Sequence, residues 1–341
     1  MRNSSTVSVV GGDSLLAKEL RDVLAQRSFP AKIHLVGVDD EGIVLTEQDG
    51  EPAILTPLDQ EDLLSSRLVF LAGTASSSRI ALAVAAQSAT PPAIIDLTCV
   101  AEDEVSARLR APLAEPPGHA APAGSLHVIA HPAAIALALL LSRMASKFSI
   151  RRSTAHVFEP ASELGQSGLE ELRRQTVNLL SFQPLPKDVY DAQLAFALLA
   201  RYGDDAPQAL ESIELRIERH LASLLASLGA APMPSLRLVQ APVFHGHSIS
   251  LHVEFDARPD LKALAAVLAS PGMDVRGPDL EPPNNVSVSG QSGIAVGAIS
   301  ADRNNPNACW LWAATDNFRL MADNALAVAL PLLEPAPDER R

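Results

Sequence analysis

Only two cysteines, Cys99 and Cys309, occur in the 341 residues. That is too few for a disulfide framework or a cysteine-built metal centre, and no metal is expected. No apolar run approaches the roughly 18 residues that span a bilayer, and the opening MRNSSTVSVVGG lacks the apolar core of a signal peptide. A basic surplus is missing as well. The formal charge of −13 disfavours nucleic acid and anionic membrane as partners and gives an anionic substrate no help from the global field. What is present is an ordinary globular composition, 47% hydrophobic and 20% charged. The length suits about two domains. A cytoplasmic, enzyme-like protein is the expectation.

Thr6 to Val10 is a β-branched run, followed by Gly11-Gly12 and the helical pattern Leu15, Leu16, Leu20, Val23, Leu24. Strand, glycine loop and helix open a dinucleotide-binding unit, in which Gly11, Gly12, Asp13, Ser14 and Leu15 would face the phosphates. A second strand, Ala31 to Val38, ends at Asp39, Asp40 and Glu41. A carboxylate there pairs with a ribose 2′-OH and repels a 2′-phosphate, so NAD is favoured over NADP; a solvated acidic turn is the plainer alternative. Further strands are expected at Leu68 to Ala72 and Ala93 to Asp96. Residues 111–125, rich in Pro, Ala and Gly, read as a surface linker. Helices are expected within 162–180, 206–230 and 318–333, and strands at 148–158, 236–243, 248–255, 286–299 and 310–313. The PAPDERR tail reads as disordered.

Leu126 to Ala130 runs apolar into His131-Pro132, after which Ala133 to Leu141 reads as an apolar helix with Pro132 in its first turn. Such a strand–turn–helix aims backbone N–H groups at whatever lies in front of it and suits a nucleophile. Here the first turn offers only Ala133 and Ala134. A plain buried helix is the competing reading.

The segments VVGGDSLLAKEL, FLAGTASSSRIAL, VIAHPAA, FEPASELGQSGLEELRRQTVNLLSFQPLP, LVQAPVFHGHSISL and ATDNFRLMADNA resemble the aspartate-semialdehyde dehydrogenase family, most closely its Usg-type branch. They cover nearly the whole chain in the family's order. The resemblance implies an α/β fold: a Rossmann-like dinucleotide-binding domain plus an α+β dimerisation/catalytic-type domain with a mixed sheet. The expected division is residues 1–127 plus 318–341 and residues 128–317, in a homodimer. The family reduces aspartyl phosphate with a nicotinamide cofactor through a cysteine thioester.

Residue by residue, the resemblance places Ala134 at the nucleophilic cysteine and His131 at the first Asn of that motif. It places Glu159 at an active-site Gln, Gln240 at the Arg that holds the substrate carboxylate, and His247 at the general base. Gly11, Ser14 and Ala17 stand for the three glycines of the phosphate loop, which is thereby weakened for NAD or NADP. Gly73 and Thr74 fall in a cofactor-contacting turn, Asn317 lies near the nicotinamide, and Glu102 replaces a phosphate-gripping Arg. A methyl group cannot form a thioester, so the expectation is a dimer lacking the dehydrogenase reaction. One alternative is an active oxidoreductase with a rewired site, using Cys99 or His247. Another is a non-redox enzyme in which His247 and Glu159 form an acid–base pair, which requires them within hydrogen-bond reach.

Overall fold

The computed structural model describes residues 6–37, 44–48, 51–58, 60–115, 126–229 and 231–333. The chain divides into two compact units, Met1–Ala130 with Met321–Arg341, and His131–Leu320. The first junction thus falls at the His131-Pro132 break. Among the described residues no helix is long and apolar enough to cross a membrane.

The first unit holds β1 (Thr6–Val10), α1 (Leu15–Gln26), β2 (Lys32–Val36), β3 (Val44–Gln48), β4 (Glu51–Leu55), α2 (Gln60–Ser65), β5 (Leu68–Leu71), α3 (Ala75–Ala85), β6 (Ala93–Asp96), β7 (Ala107–Arg110) and β8 (Leu126–Ile129). Six of the strands form one sheet in the order β2-β1-β5-β6-β8-β7, with every pair parallel. Strands β1, β5 and β6 are buried almost throughout, as continuous Val/Ile/Leu runs covered on both faces must be. The chain leaves β1 in one direction through α1 and returns on its other side at β5. That reversal is a topological switch point, where sheets of this kind bind ligands.

The second unit holds α4 (Pro132–Ala145), β9 (Ile150–Glu159), a 3-10 turn (Ala161–Leu164), α5 (Gly165–Leu180), α6 (Leu210–Leu228), β10 (Ser235–Gln240), β11 (His247–Phe255), α7 (Leu261–Leu268), β12 (Met273–Val275), β13 (Ile294–Ala301) and β14 (Ala308–Thr315). Helix α8 (Asn317–Leu333) begins in it and ends in the first unit. Its sheet runs β10-β9-β11-β14-β13-β12. The outer pairs, β10 with β9 and β12 with β13, are parallel and the rest antiparallel. Burial alternates along most of β11, the period of a strand with one face inward. Helix α4 is buried on every side of its first ten residues and packs on α6, α7 and β9, which explains its unbroken apolar sequence.

Three expectations need correction. Residues 111–115 are no linker: Glu115 takes the Arg110 guanidinium at 2.8–3.2 Å and the Ala111 N–H at 2.7 Å, closing a packed turn after β7. The rest of that stretch, like the PAPDERR tail and Asp39 to Glu41, lies outside the described residues. The strand expected from Val286 begins only at Ile294, because the Asn284 side chain accepts the N–H groups of Val286 and Ser287 and turns the chain. Strand β10 stops at Gln240, since Pro242 has no N–H to continue a ladder. The polar run after Thr74 is the first turn of α3, with Thr74 and Ser77 forming a capping box.

Candidate functional site

The register of the mixed sheet assembles the site. Gln240 pairs with Glu159 across β10 and β9, and His247 pairs with Thr315 across β11 and β14. Since Ser248 lies opposite Phe158, the next step in register sets His247 beside Glu159. One end of the sheet therefore carries the row Gln240, Glu159, His247, Thr315, all buried. His247 Nε2 lies 2.8 Å from Glu159 Oε2, so the two have the hydrogen-bond reach that an acid–base pair requires.

Two further groups complete the cluster. Glu163, on the 3-10 turn after β9, brings Oε1 to 3.9 Å from His247 Nε2 and Oε2 to 3.8 Å from His131 Nε2. His131, the N-cap of α4, has its Nε2 3.9 Å from Glu159 Oε1. Its ring stands edge-on to that of His247, 5.5 Å between centroids. Three buried atoms here have no hydrogen-bond partner among the described residues: His131 Nε2, Glu159 Oε1 and His247 Nδ1. Burial governs the protonation of all four groups. It pushes the Glu159 carboxyl up to about 8. Burial and the neighbouring Glu159 push Glu163 up to about 7. Burial also lowers His247 to about 4 and holds His131 well below the usual imidazole range.

The surrounding hydrogen bonds fix these groups in place. Gln240 receives the Tyr202 hydroxyl at 2.6 Å on Oε1 and donates both Nε2 hydrogens to the carbonyls of Glu159 and Ala241. Its amide is fully used in holding β9 and is not presented as a substrate clamp. Asn317, at the start of α8, donates to Glu163 Oε1 at 2.9 Å and to Ser162 Oγ at 3.1 Å, and accepts the Gly246 N–H. Next to it His245 bridges Ser162 and Asp316. Burial opposes ionisation of Asp316, but the His245 hydrogen bond and two backbone N–H groups hold its carboxyl below the usual range.

The start of α4 departs from the expected anion-facing end. The His131 N–H donates to Nδ1 of His220, which α6 places on its buried stripe, and the Ala133 N–H donates to Nδ1 of His131 itself. Pro132 has no N–H. Ala134, the position that the resemblance gives to the nucleophile, is a fully buried methyl group. Cys99, in the loop after β6, has a left-handed φ of 57° and donates its S–H to the Ile129 carbonyl. Cys309 is buried in β14 opposite Val253, and burial pushes its thiol up to about 12.

In the first unit, the carboxyl ends of β1 and β5 meet backbone to backbone. Gly11 has φ +78°, and a Cβ there would sit 2.1 Å from the Gly73 Cα, so neither position tolerates a side chain. The N–H groups of Gly11 and Gly12 both donate to the Val36 carbonyl. Ser14 caps α1 by accepting the Ala17 N–H. Asp13 is exposed and Leu15 opens the helix. Of the expected nucleotide-facing residues, Gly11 to Leu15, Gly73 and Thr74 belong to this unit and Asn317 to the other. Glu163 escapes the sequence, because spacing cannot show that the 3-10 turn after β9 converges with His131, Glu159 and His247.

A parallel-sheet unit joined to a mixed-sheet unit of this kind defines a two-unit, dehydrogenase-like α/β protein. Residues 141–320 match the family model described as semialdehyde dehydrogenase, dimerisation domain. The chain is 30% identical over 325 residues to a USG-1 protein homolog of Pseudomonas aeruginosa, covering 94% of each. It is 27% identical over 349 residues to an aspartate-semialdehyde dehydrogenase of Rickettsia bellii, covering 98% of this chain and 99% of that one. A solved structure of a probable aspartate-semialdehyde dehydrogenase from Pseudomonas aeruginosa superposes with a TM-score of 0.85 at 28% identity, over 97% of this chain and 99% of the other. The chain belongs to the aspartate-semialdehyde dehydrogenase/Usg family.

Proposed function

We propose that this chain is a homodimeric family member that does not run the thioester dehydrogenase reaction. The observation that carries the reading is Ala134, a buried methyl group in the first turn of α4, the helix whose N-cap, His131, belongs to a cluster of His and Glu side chains. A methyl group cannot be acylated, and loss of a nucleophile elsewhere costs on the order of 10⁶ in kcat. The packed Gln240 amide and Glu102 supply neither of the cations expected to hold the substrate. The test is oxidation of aspartate β-semialdehyde with phosphate and NADP by highly purified protein, for which no turnover above background is expected.

The close approach of Gly11 to Gly73 at the switch point supports retention of a dinucleotide. Gly11, Gly12, Asp13, Ser14, Leu15, Gly73 and Thr74 would hold it; a nicotinamide ring would supply hydride chemistry. Ligand binding raises the melting temperature according to concentration over Kd. Stabilisation by millimolar NAD is expected, more than by NADP, and a flat response to both would discard nucleotide binding.

The 2.8 Å contact between His247 and Glu159 favours a second reading, proton transfer without redox chemistry. It predicts faster exchange of deuterium into the carbon next to the semialdehyde carbonyl with wild type than with His247→Gln.

A further inference from the structure

We infer that His131, Glu159, Glu163 and His247 form a site for one divalent transition-metal ion of the zinc class. One nitrogen or oxygen from each of His131, Glu159 and His247 lies within 4.8 Å of the others, and all three residues are buried. Both carboxylates sit between the two rings: Glu159 brings Oε1 to 3.9 Å from His131 Nε2 and Oε2 to 2.8 Å from His247 Nε2, and Glu163 brings Oε2 to 3.8 Å from His131 Nε2 and Oε1 to 3.9 Å from His247 Nε2. A tetrahedral ion with bonds of about 2.0–2.1 Å sets its donors ~3.3 Å apart, so the three donors, all within 4.8 Å of one another, close by at most about 1.5 Å as one oxygen of each carboxylate turns to the ion. The second observation is independent of the spacing. His131 Nε2 and Glu159 Oε1 are buried without hydrogen-bond partners and face each other across the cluster. Orphaned buried polar atoms are rare, and an absent ion is one physical reason for them.

The donor set selects the class of ion. Two imidazoles with two carboxylates suit zinc and its neighbours, whereas magnesium and calcium take oxygen alone. The surrounding bonds act as an outer shell that aims the ligands. Asn317 holds Glu163 Oε1 at 2.9 Å, and Gln240 grips the Glu159 carbonyl from behind. Two adjustments accompany binding. The ion replaces the proton between His247 and Glu159, which leaves to solvent. Coordination through His131 Nε2 puts that ring's remaining proton on Nδ1, which gives up the long 3.2 Å cap bond from Ala133. A coordinate bond outweighs a bond of that length.

This inference builds on the reading that the site is no longer a thioester site, and the two fail separately: turnover is assayed without added metal, and binding without substrate. The whole chain, stripped with a chelator, is titrated with Co²⁺ and then Zn²⁺ while the visible spectrum is followed. One Co²⁺ per chain with the intense bands of a four-coordinate site is expected, displaced by one equivalent of Zn²⁺. Glu163→Gln keeps an oxygen for Asn317 to donate to and preserves the fold, and it should weaken binding about 10-fold or more. His131→Ala, checked for folding by circular dichroism, should abolish the bands. His252→Ala, in the separate His252–Asp302 pair, should leave them intact. A folded wild type with no cobalt spectrum at millimolar metal overturns the site. So does a spectrum that Glu163→Gln leaves unchanged.

Discussion

Glu171 and Gln175 show how much one buried side chain can organise. Between α5 and α6 the chain runs for 29 residues, 181–209, without a named helix or strand. Glu171 accepts the N–H groups of Val189 and Tyr190, while Gln175 holds the carbonyls of Pro186 and Ala192 and the N–H groups of Leu194 and Ala195. Glu171→Ala leaves two of these donors unpaired. At about 1–3 kcal/mol for each buried orphan, urea unfolding should show a loss of roughly 2–6 kcal/mol.

His127 offers a pH test at the same scale. Burial, with help from Arg110, lowers it from its usual 6.5 to about 4. Between these values the unfolded chain binds the proton that the folded chain refuses. The contribution of neutral His127 is thus complete above pH 6.5 and falls as the pH drops toward 4. Wild type should lose about 2 kcal/mol between pH 6.5 and 5 from this group alone, a slope that His127→Gln should remove.

Elements were legible where their apolar pattern decides them, and illegible where a side chain overrides it. Strands β1, β5, β6 and β8 are short, largely apolar runs, and α4 is apolar through its first ten residues, so all five stand out in the sequence. Strand β7 reads Ala-Arg-Leu-Arg, a sheet-edge strand whose charges hide it. The turn at Asn284 hides the true start of β13 in the same way. Within the site, Glu159 and His247 were marked by resemblance, but the contribution of Glu163 depends on a 3-10 turn that no periodicity announces. Glycines separate packing from backbone strain. At Gly229, which ends α6 with φ +63°, an added Cβ meets nothing within 4 Å, so Gly229→Ala should cost only about 1 kcal/mol. Gly11→Ala meets the Gly73 backbone as well and should cost several-fold more, as the two melting temperatures would show.

At the scale of the molecule, the matched dimerisation domain and several individually exposed apolar side chains favour a homodimer. Leu180 and Phe182 lie at the end of α5, and Phe196 and Leu198 lie on the loop that Gln175 pins to it; Phe182 is 96% exposed. Apolar surface of this kind is the usual substance of a homodimer interface. Phe182→Asp with Leu198→Asp should shift the sedimentation coefficient from dimer to monomer without loss of helix content.

We propose above all that this framework carries a site in which no thioester can form. Intact-protein mass spectrometry after incubation with aspartate β-semialdehyde and NADP, quenched in acid, tests it at the covalent step itself. A chain of unchanged mass and no NADPH are expected. An acyl adduct that maps to Cys99 or Cys309 and forms together with NADPH would contradict it.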